Sequence, residues 1–399
     1  MPNPSDVRYI ENRYRRRPGT GGSATQSFSP ATARTVRSFH CSLRAYRPTP
    51  LLALQGLADS MGVSRLWVKD ESRRFGLDAF KVLGASYAIG RHVAQELGVD
   101  AQSLRFDLLG SPEARRRLGE RVFVTATDGN HGRAVAWAAR QLEQKAVVFL
   151  PRGASPIRVA HIRELGAEAR VTEHNYDESV RRAARAAEHH GWVLLQDTAW
   201  SGYEQVPSWV MQGYLTMYAE AVEQLEGDRP THVFIQAGVG SLAASLRAYL
   251  HELYGDAGPY FAVVEPERAA CFYCSAGRSD GSPGTVKGAL DTIMVGLAAG
   301  KPSALAWPLL RDYSDGFFAC ADAVAAEGMR LLARPLARDP AVISGESGAV
   351  TAGLLARLCS DTALCDLRQG IDLREDAKVL LFSTEGATDP AMYRRIVSG

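Results

Sequence analysis

Lysine is the scarce residue of this chain. Its 46 lysines and arginines include only six lysines, at 69, 81, 145, 287, 301 and 378. Chemistry that needs a primary amine therefore has few candidates. Long hydrophobic runs are also missing. No apolar stretch is long enough to span a bilayer, and none has the form of a signal-peptide core. The expectation is a cytoplasmic protein with no membrane partner. Cysteine is sparse, and six in 399 residues do not make a disulfide framework. Cys271 and Cys274 form a lone C-x-x-C without a second ligand pair. Cys41, Cys320, Cys359 and Cys365 have no ligand spacing either, so no metal site is expected. Excess charge of one sign is absent too. A net charge of +2 leaves no basic domain and no nucleic-acid footprint. The exception is the cluster Arg13, Arg15, Arg16 and Arg17, which reads as a solvated arm; Asp6 and Glu11 count against a transit peptide.

What is present reads as α/β. Apolar residues make up 46% and charged residues 23%, the balance of a soluble protein, and the length suits two domains. From Arg121 onward short apolar strands alternate with helices. Val122 to Ala126, Ala146 to Leu150, Ala169 to Val171 and Val193 to Leu195 are strands, bridged by helical patterns from Arg133, Ile157 and Asp177. Such runs predict a parallel sheet covered on both faces. A long helix from about Tyr203 to Leu225 leads to a second series, with strands over Thr231 to Gln236, Tyr260 to Val264 and Lys378 to Phe382. Leu66 to Lys69 is a further strand. The expected division is an arm at 1–35, a large domain of 36–85 and 203–399, and a small α/β domain of 86–202.

Six stretches carry candidate chemistry. Lys81 sits between Phe80 and Val82, ahead of a Gly84-Ala85 pair that opens an apolar helical pattern. It is either a snorkelling lysine at a helix start or a partly desolvated amine available for a Schiff base. Gly238, Val239, Gly240, Ser241 and Leu242 fall between a strand and an apolar helix. Glycines there let backbone N–H groups converge on an anion. The run lacks the Gly-Lys-Ser/Thr of a nucleoside-triphosphate loop and the third glycine of a dinucleotide fingerprint. It is a modest phosphate cradle or a tight turn. Thr125 to Arg133 is dense in polar groups and glycine at a strand's carboxyl end, where ligands gather in open sheets. Asp128 or Asn130 as a helix N-cap is the alternative there. Asp197 ends a strand, as do Ser383 and Thr384, and Ser344-Gly345-Glu346-Ser347-Gly348 precedes an apolar helix. Each alone is a capping pattern. A Schiff-base lysine with a phosphate cradle is the combination that pyridoxal phosphate uses.

The chain resembles the fold type II pyridoxal-phosphate enzymes, the tryptophan synthase β group. Pro48-Thr49-Pro50-Leu51, Phe80-Lys81, Gly129-Asn130-His131-Gly132, Gly238-Val239-Gly240-Ser241-Leu242 and the hydroxyl-ended terminal strand occur in that group's order. Within it the chain is most similar to the diaminopropionate ammonia-lyases, through Phe39-His40, Glu71-Ser72, Asp128, Gln196-Asp197-Thr198-Ala199-Trp200, Thr292-Ile293-Met294, Ser344 to Gly348 and Ser383 to Pro390. A carboxylate at Asp128 separates it from the dehydratases and synthases, which carry a small or hydroxyl residue there.

The resemblance implies two open, twisted, mostly parallel sheets with the cofactor between a large and a small domain. It implies that Lys81 holds pyridoxal 5'-phosphate, that Asn130 bonds its ring hydroxyl, and that Gly238, Val239, Gly240, Ser241 and Leu242 hold its phosphate. Ser383 would face the pyridine nitrogen, or Thr384 if the register is off by one. The implied partner is an amino acid, 2,3-diaminopropionate in D or L form, and the implied assembly is a homodimer. Lys81 and Asp128 would take the Cα proton from opposite faces, with Asp197 and Asp128 as candidates to hold the departing ammonium. A serine/threonine dehydratase, a β-replacement synthase and a non-catalytic α/β binding protein are the rival expectations. The arm has no functional reading.

Overall fold

The computed structural model describes residues 6–16, 23–127 and 129–399. Eleven strands occur among them: β1 (Val7–Glu11), β2 (Leu51–Ala53), β3 (Arg65–Asp70), β4 (Val122–Ala126), β5 (Lys145–Leu150), β6 (Glu168–Val171), β7 (Val193–Leu194), β8 (His232–Gln236), β9 (Tyr260–Pro266), β10 (Gly316–Cys320) and β11 (Lys378–Ser383). The chain divides into two units, a larger one of 1–29, 49–73 and 220–399 and a smaller one of 30–48 and 74–219.

The larger unit holds a seven-stranded sheet in the order β1-β10-β9-β8-β11-β3-β2. Its five inner strands run parallel, and β1 and β2 close the edges antiparallel. β8 and β10 are buried along their whole length, and β11 is buried beyond its first residue. Such continuous apolar burial marks a sheet covered on both faces. Phe234, Val264, Phe318, Leu354 and Leu381 belong to its core. The smaller unit holds a four-stranded, fully parallel sheet in the order β6-β5-β4-β7. Val124, Val147, Phe149 and Ala183 belong to its core.

One polar cluster in the interior of the larger unit is centred on Lys69. Lys69, on β3, is fully buried, and its ammonium donates to the Thr49 carbonyl at 2.6 Å, to Glu220 at 2.8 Å and to Gln224 at 2.9 Å. Three donors meet three acceptors, which is what a buried ammonium requires. Thr49 in turn donates its hydroxyl to Glu71 at 2.5 Å.

The division differs from the expected one. The helix Lys81–Leu97 packs on the helices Asn130–Gln141 and Gln205–Gly213, so 74–85 and 203–219 join the smaller unit. Contact between the Lys81 helix and the segment after it is very close. A Cβ on Gly213 would stand 2.4 Å from the Leu83 carbonyl, and one on Gly84 would stand 2.6 Å from the Tyr214 ring. Only glycine permits that approach. The long helix expected over 203–225 is two helices, Gln205–Gly213 and Leu215–Gln224, that meet at Tyr214.

The expected arm is partly structured. Residues 7–11 are the edge strand β1, and the helix Pro30–Cys41 belongs to the smaller unit. Asn12 donates to the carbonyls of Arg311 and Ser314 at 2.7 Å, and Arg16 pairs with Asp312 at 2.8 Å. Arg13 and Arg15 also find partners in the larger unit, and Arg17 lies outside the described residues. No helix among the described residues is long and apolar enough to cross a membrane. No metal-binding cluster of His, Cys, Asp and Glu occurs among them either.

Candidate active site

The smaller unit carries the amine. Lys81 is the first residue of its helix, and its ammonium donates to Asp197 at 2.5 Å. The Lys81 side chain is 20% exposed and that of Asp197 6%, so the pair is reachable only from the lysine's side. Asp197 lies just beyond β7, in a segment anchored by Gln196. The Gln196 amide donates to the Ala126 carbonyl at 2.9 Å, and its oxygen accepts from Ala126 N–H at 3.0 Å and from Thr125 at 3.0 Å. These three hydrogen bonds across the end of β4 set where Asp197 can stand.

Two more groups surround this pair. His131, in the first turn of the helix Asn130–Gln141, donates Nε2–H to the Leu195 carbonyl at 2.9 Å. A carbonyl only accepts, so Nδ1 carries no proton in the neutral ring. Nδ1 lies 3.9 Å from Asp197 Oδ2 and has no hydrogen-bond partner among the described residues. Burial pushes the His131 imidazole down. Burial alone would push the Asp197 carboxyl up, but the Lys81 ammonium outweighs it and holds the carboxyl at about 2. Tyr214 is fully buried, its ring centroid 4.7 Å from that of Phe80, and its hydroxyl has no hydrogen-bond partner among the described residues. Burial and the Asp197 charge push that phenol well up. Asn130 opens the helix that holds His131. Asp128 lies outside the described residues.

The larger unit carries a backbone cradle at the carboxyl ends of β8 and β11. After β8 the chain turns through Gly238, Val239 and Gly240 into the helix Ser241–Tyr254. Gly240 has φ +93°, and a Cβ there would stand 2.2 Å from the Phe272 ring, so the turn is reserved for glycine. Ser241 and Leu242 are buried in the helix's first turn, where the helix dipole favours an anion. Ser383 ends β11 and donates to the Ser344 hydroxyl at 2.8 Å. Gln236 donates to Thr384 Oγ1 at 2.8 Å and to the Phe382 carbonyl at 2.9 Å. The sheet thus brings the cradle and both hydroxyls to neighbouring strand ends.

Residues 43–368 match the family model of the pyridoxal-phosphate dependent enzymes. The chain is 48% identical over 395 residues to the diaminopropionate ammonia-lyase of Salmonella typhimurium strain LT2, covering 98% of each. It is 46% identical over 379 residues to that of Escherichia coli strain K12, covering 94% of each. The chain belongs to the diaminopropionate ammonia-lyase family. The crystal structure of the Escherichia coli enzyme of this family in complex with D-serine matches with a TM-score of 0.91 at 44% identity, covering 98% of this chain and 96% of that one. The same enzyme with an aminoacrylate-PLP azomethine reaction intermediate matches with a TM-score of 0.89.

Pyridoxal phosphate is therefore the cofactor of this family member, and its residues fit the group. The glycine-only turn at Gly240 and the amide-rich start of the Ser241 helix suit a phosphate, and Lys81 is an accessible amine. Three contributors escaped sequence reasoning. His131 was legible only as part of the run Gly129-Asn130-His131-Gly132. Tyr214 lay hidden inside an apparently continuous helix. Gln196 stood beside Asp197 without a signal of its own.

Proposed function

We propose that this chain is a carbon–nitrogen lyase that converts 2,3-diaminopropionate, in D and L form, to pyruvate and ammonia. Lys81 holds the cofactor, Asn130 bonds its ring hydroxyl, residues 238–242 hold its phosphate, and Ser383 faces the pyridine nitrogen, with Thr384 beside it. When bound, pyridoxal phosphate supplies an electron sink that acidifies the Cα–H of an attached amino acid.

The observation that carries the reading is the buried Lys81–Asp197 pair beside a neutral His131. Once Lys81 is engaged in chemistry, Asp197 is left as a buried carboxylate that needs a cation. The protonated β-amine of diaminopropionate is a cation; the hydroxyl of serine is not. Asp197 thus holds the leaving group as ammonium. Lys81, as free amine, takes the Cα proton on one face, and Asp128 takes it on the other, so both enantiomers are accepted. The assembly we propose is a homodimer in the cytoplasm.

Pure protein given D- or L-diaminopropionate should release twice as much ammonia as pyruvate. Pyruvate from serine, with none from diaminopropionate, would point instead to a dehydratase. Asp128→Asn should lose turnover of the D isomer by about 10²-fold or more and retain more of the L isomer. Equal losses on both isomers would sink the two-base assignment. Light scattering of the eluted protein tests the dimer.

A further inference from the structure

A buried carboxylate with no place in the reaction stands behind the phosphate cradle. Glu265, next to last in β9, is fully buried. Its Oε1 accepts from Phe272 N–H at 2.8 Å and its Oε2 from Tyr273 N–H at 2.7 Å. The Glu265 carboxyl thus clamps the segment Cys271 to Tyr273 through the N–H groups of Phe272 and Tyr273 and through Cys271. That segment is the wall of the cradle. The Cys271 thiol donates to the Gly238 carbonyl at 3.7 Å, and the Phe272 ring occupies the space that a Cβ on Gly240 would need. Cys271 and Phe272 are both fully buried. Glu265 has no hydrogen bond to residues 238–242 itself, so its influence on them passes through the two residues it clamps.

We propose that Glu265 is a positioning residue for the phosphate cradle, holding Cys271 and Phe272 against Gly238 and Gly240 so that the turn keeps its anion-binding form. An amide or aliphatic cap would not do the same work. Two N–H donors converge on the two oxygens of one side chain, and only a carboxylate offers an acceptor to each. Glutamine at this position could accept one N–H and would set its own NH₂ against the other.

This inference rests on the proposed cofactor role of residues 238–242. Its test therefore reads cofactor binding apart from turnover. Three proteins are loaded with pyridoxal phosphate: wild type, Glu265→Gln and Phe272→Leu. The dissociation constant comes from titration of the cofactor absorbance, the phosphate environment from phosphorus NMR, and Tm from the cofactor-free forms. Glu265→Gln should weaken cofactor binding by about tenfold, the scale of one hydrogen bond. It should also move the phosphorus resonance, while borohydride still fixes cofactor on Lys81 at saturation. Phe272→Leu leaves the clamp intact and removes the ring from Gly240, so it should reproduce the moved resonance. A Glu265→Gln protein with a lowered Tm but the wild-type dissociation constant and resonance would overturn the proposal, reducing Glu265 to a structural cap. Wild-type protein that takes up no cofactor would sink the functional reading itself, and this inference with it.

Discussion

Lys69 and Lys81 are each paired with a carboxylate, Lys69 with Glu220 at 2.8 Å and Lys81 with Asp197 at 2.5 Å. Both side chains of the first pair are 0% exposed, and the Lys69 ammonium has three acceptors within 2.9 Å. Lys81 is 20% exposed, and Asp197 is its hydrogen-bond partner. A buried ammonium with every donor used is held in one geometry and cannot act on anything else. One with donors to spare and an open side can exchange its partner. The two lysines are chemically identical, and their acceptors and access set their uses. Lys69 ties β3 to the Thr49 and Glu220 segments, whereas Lys81 holds Asp197 and keeps an exposed side.

Replacing each lysine should separate these roles most strongly. Lys81→Ala should lower turnover by at least about 10³-fold and leave no borohydride-fixed cofactor, with a smaller fall in Tm than Lys69→Met causes. An equally large fall in Tm would erase the contrast. Lys69→Met leaves Glu220 as an uncompensated buried charge and should cost about 3–5 kcal/mol in denaturant unfolding. A loss below about 1 kcal/mol would mean that Lys69 is not the anchor described.

Acid sharpens the Lys81 pair next. With the amine free, Asp197 is held at about 2 in the fold against 3.8 unperturbed. A depressed carboxyl contributes stability above its unfolded value and loses it as pH falls through its folded one. The stability advantage of wild-type apoprotein over Asp197→Asn should therefore hold above about pH 4 and shrink by roughly 2 kcal/mol on the way to about pH 2. A difference that does not vary with pH would mean the two groups are not coupled. The smallest effect concerns Tyr214, which packs on the Lys81 helix without using its hydroxyl. Tyr214→Phe breaks no hydrogen bond and should leave apoprotein stability unchanged or raise it by up to about 1 kcal/mol. A clear loss would show that the hydroxyl has a partner after all.

Much of this was legible before folding. The parallel strands of the smaller sheet follow from runs such as Lys145–Leu150, because strands covered on both faces are continuously apolar. The edge strand β1 was not, since Val-Arg-Tyr-Ile-Glu alternates like an exposed tail until Gly316–Cys320 supplies its partner. Lys81 drew attention through its rarity and its setting between Phe80 and Val82. Asp197 was visible as a carboxylate at a strand end, but its partner was not. Glu265 was silent: one acid inside Phe261-Ala262-Val263-Val264-Glu265-Pro266 looks like a strand exit, and its two N–H donors come from the segment after the strand.

The cofactor class came with the family resemblance, and sequence alone determined the fold class and the glycine turn at 238–240. These depend on local rules: strand and helix periods, and a backbone angle that only glycine takes without strain. Tertiary structure alone decided which lysine is locked and which keeps an exposed side. It also joined Asp197 and His131 to Lys81, and set Glu265 behind the cradle. Each of those depends on burial and on partners distant in sequence, which exist only after the sheets have formed.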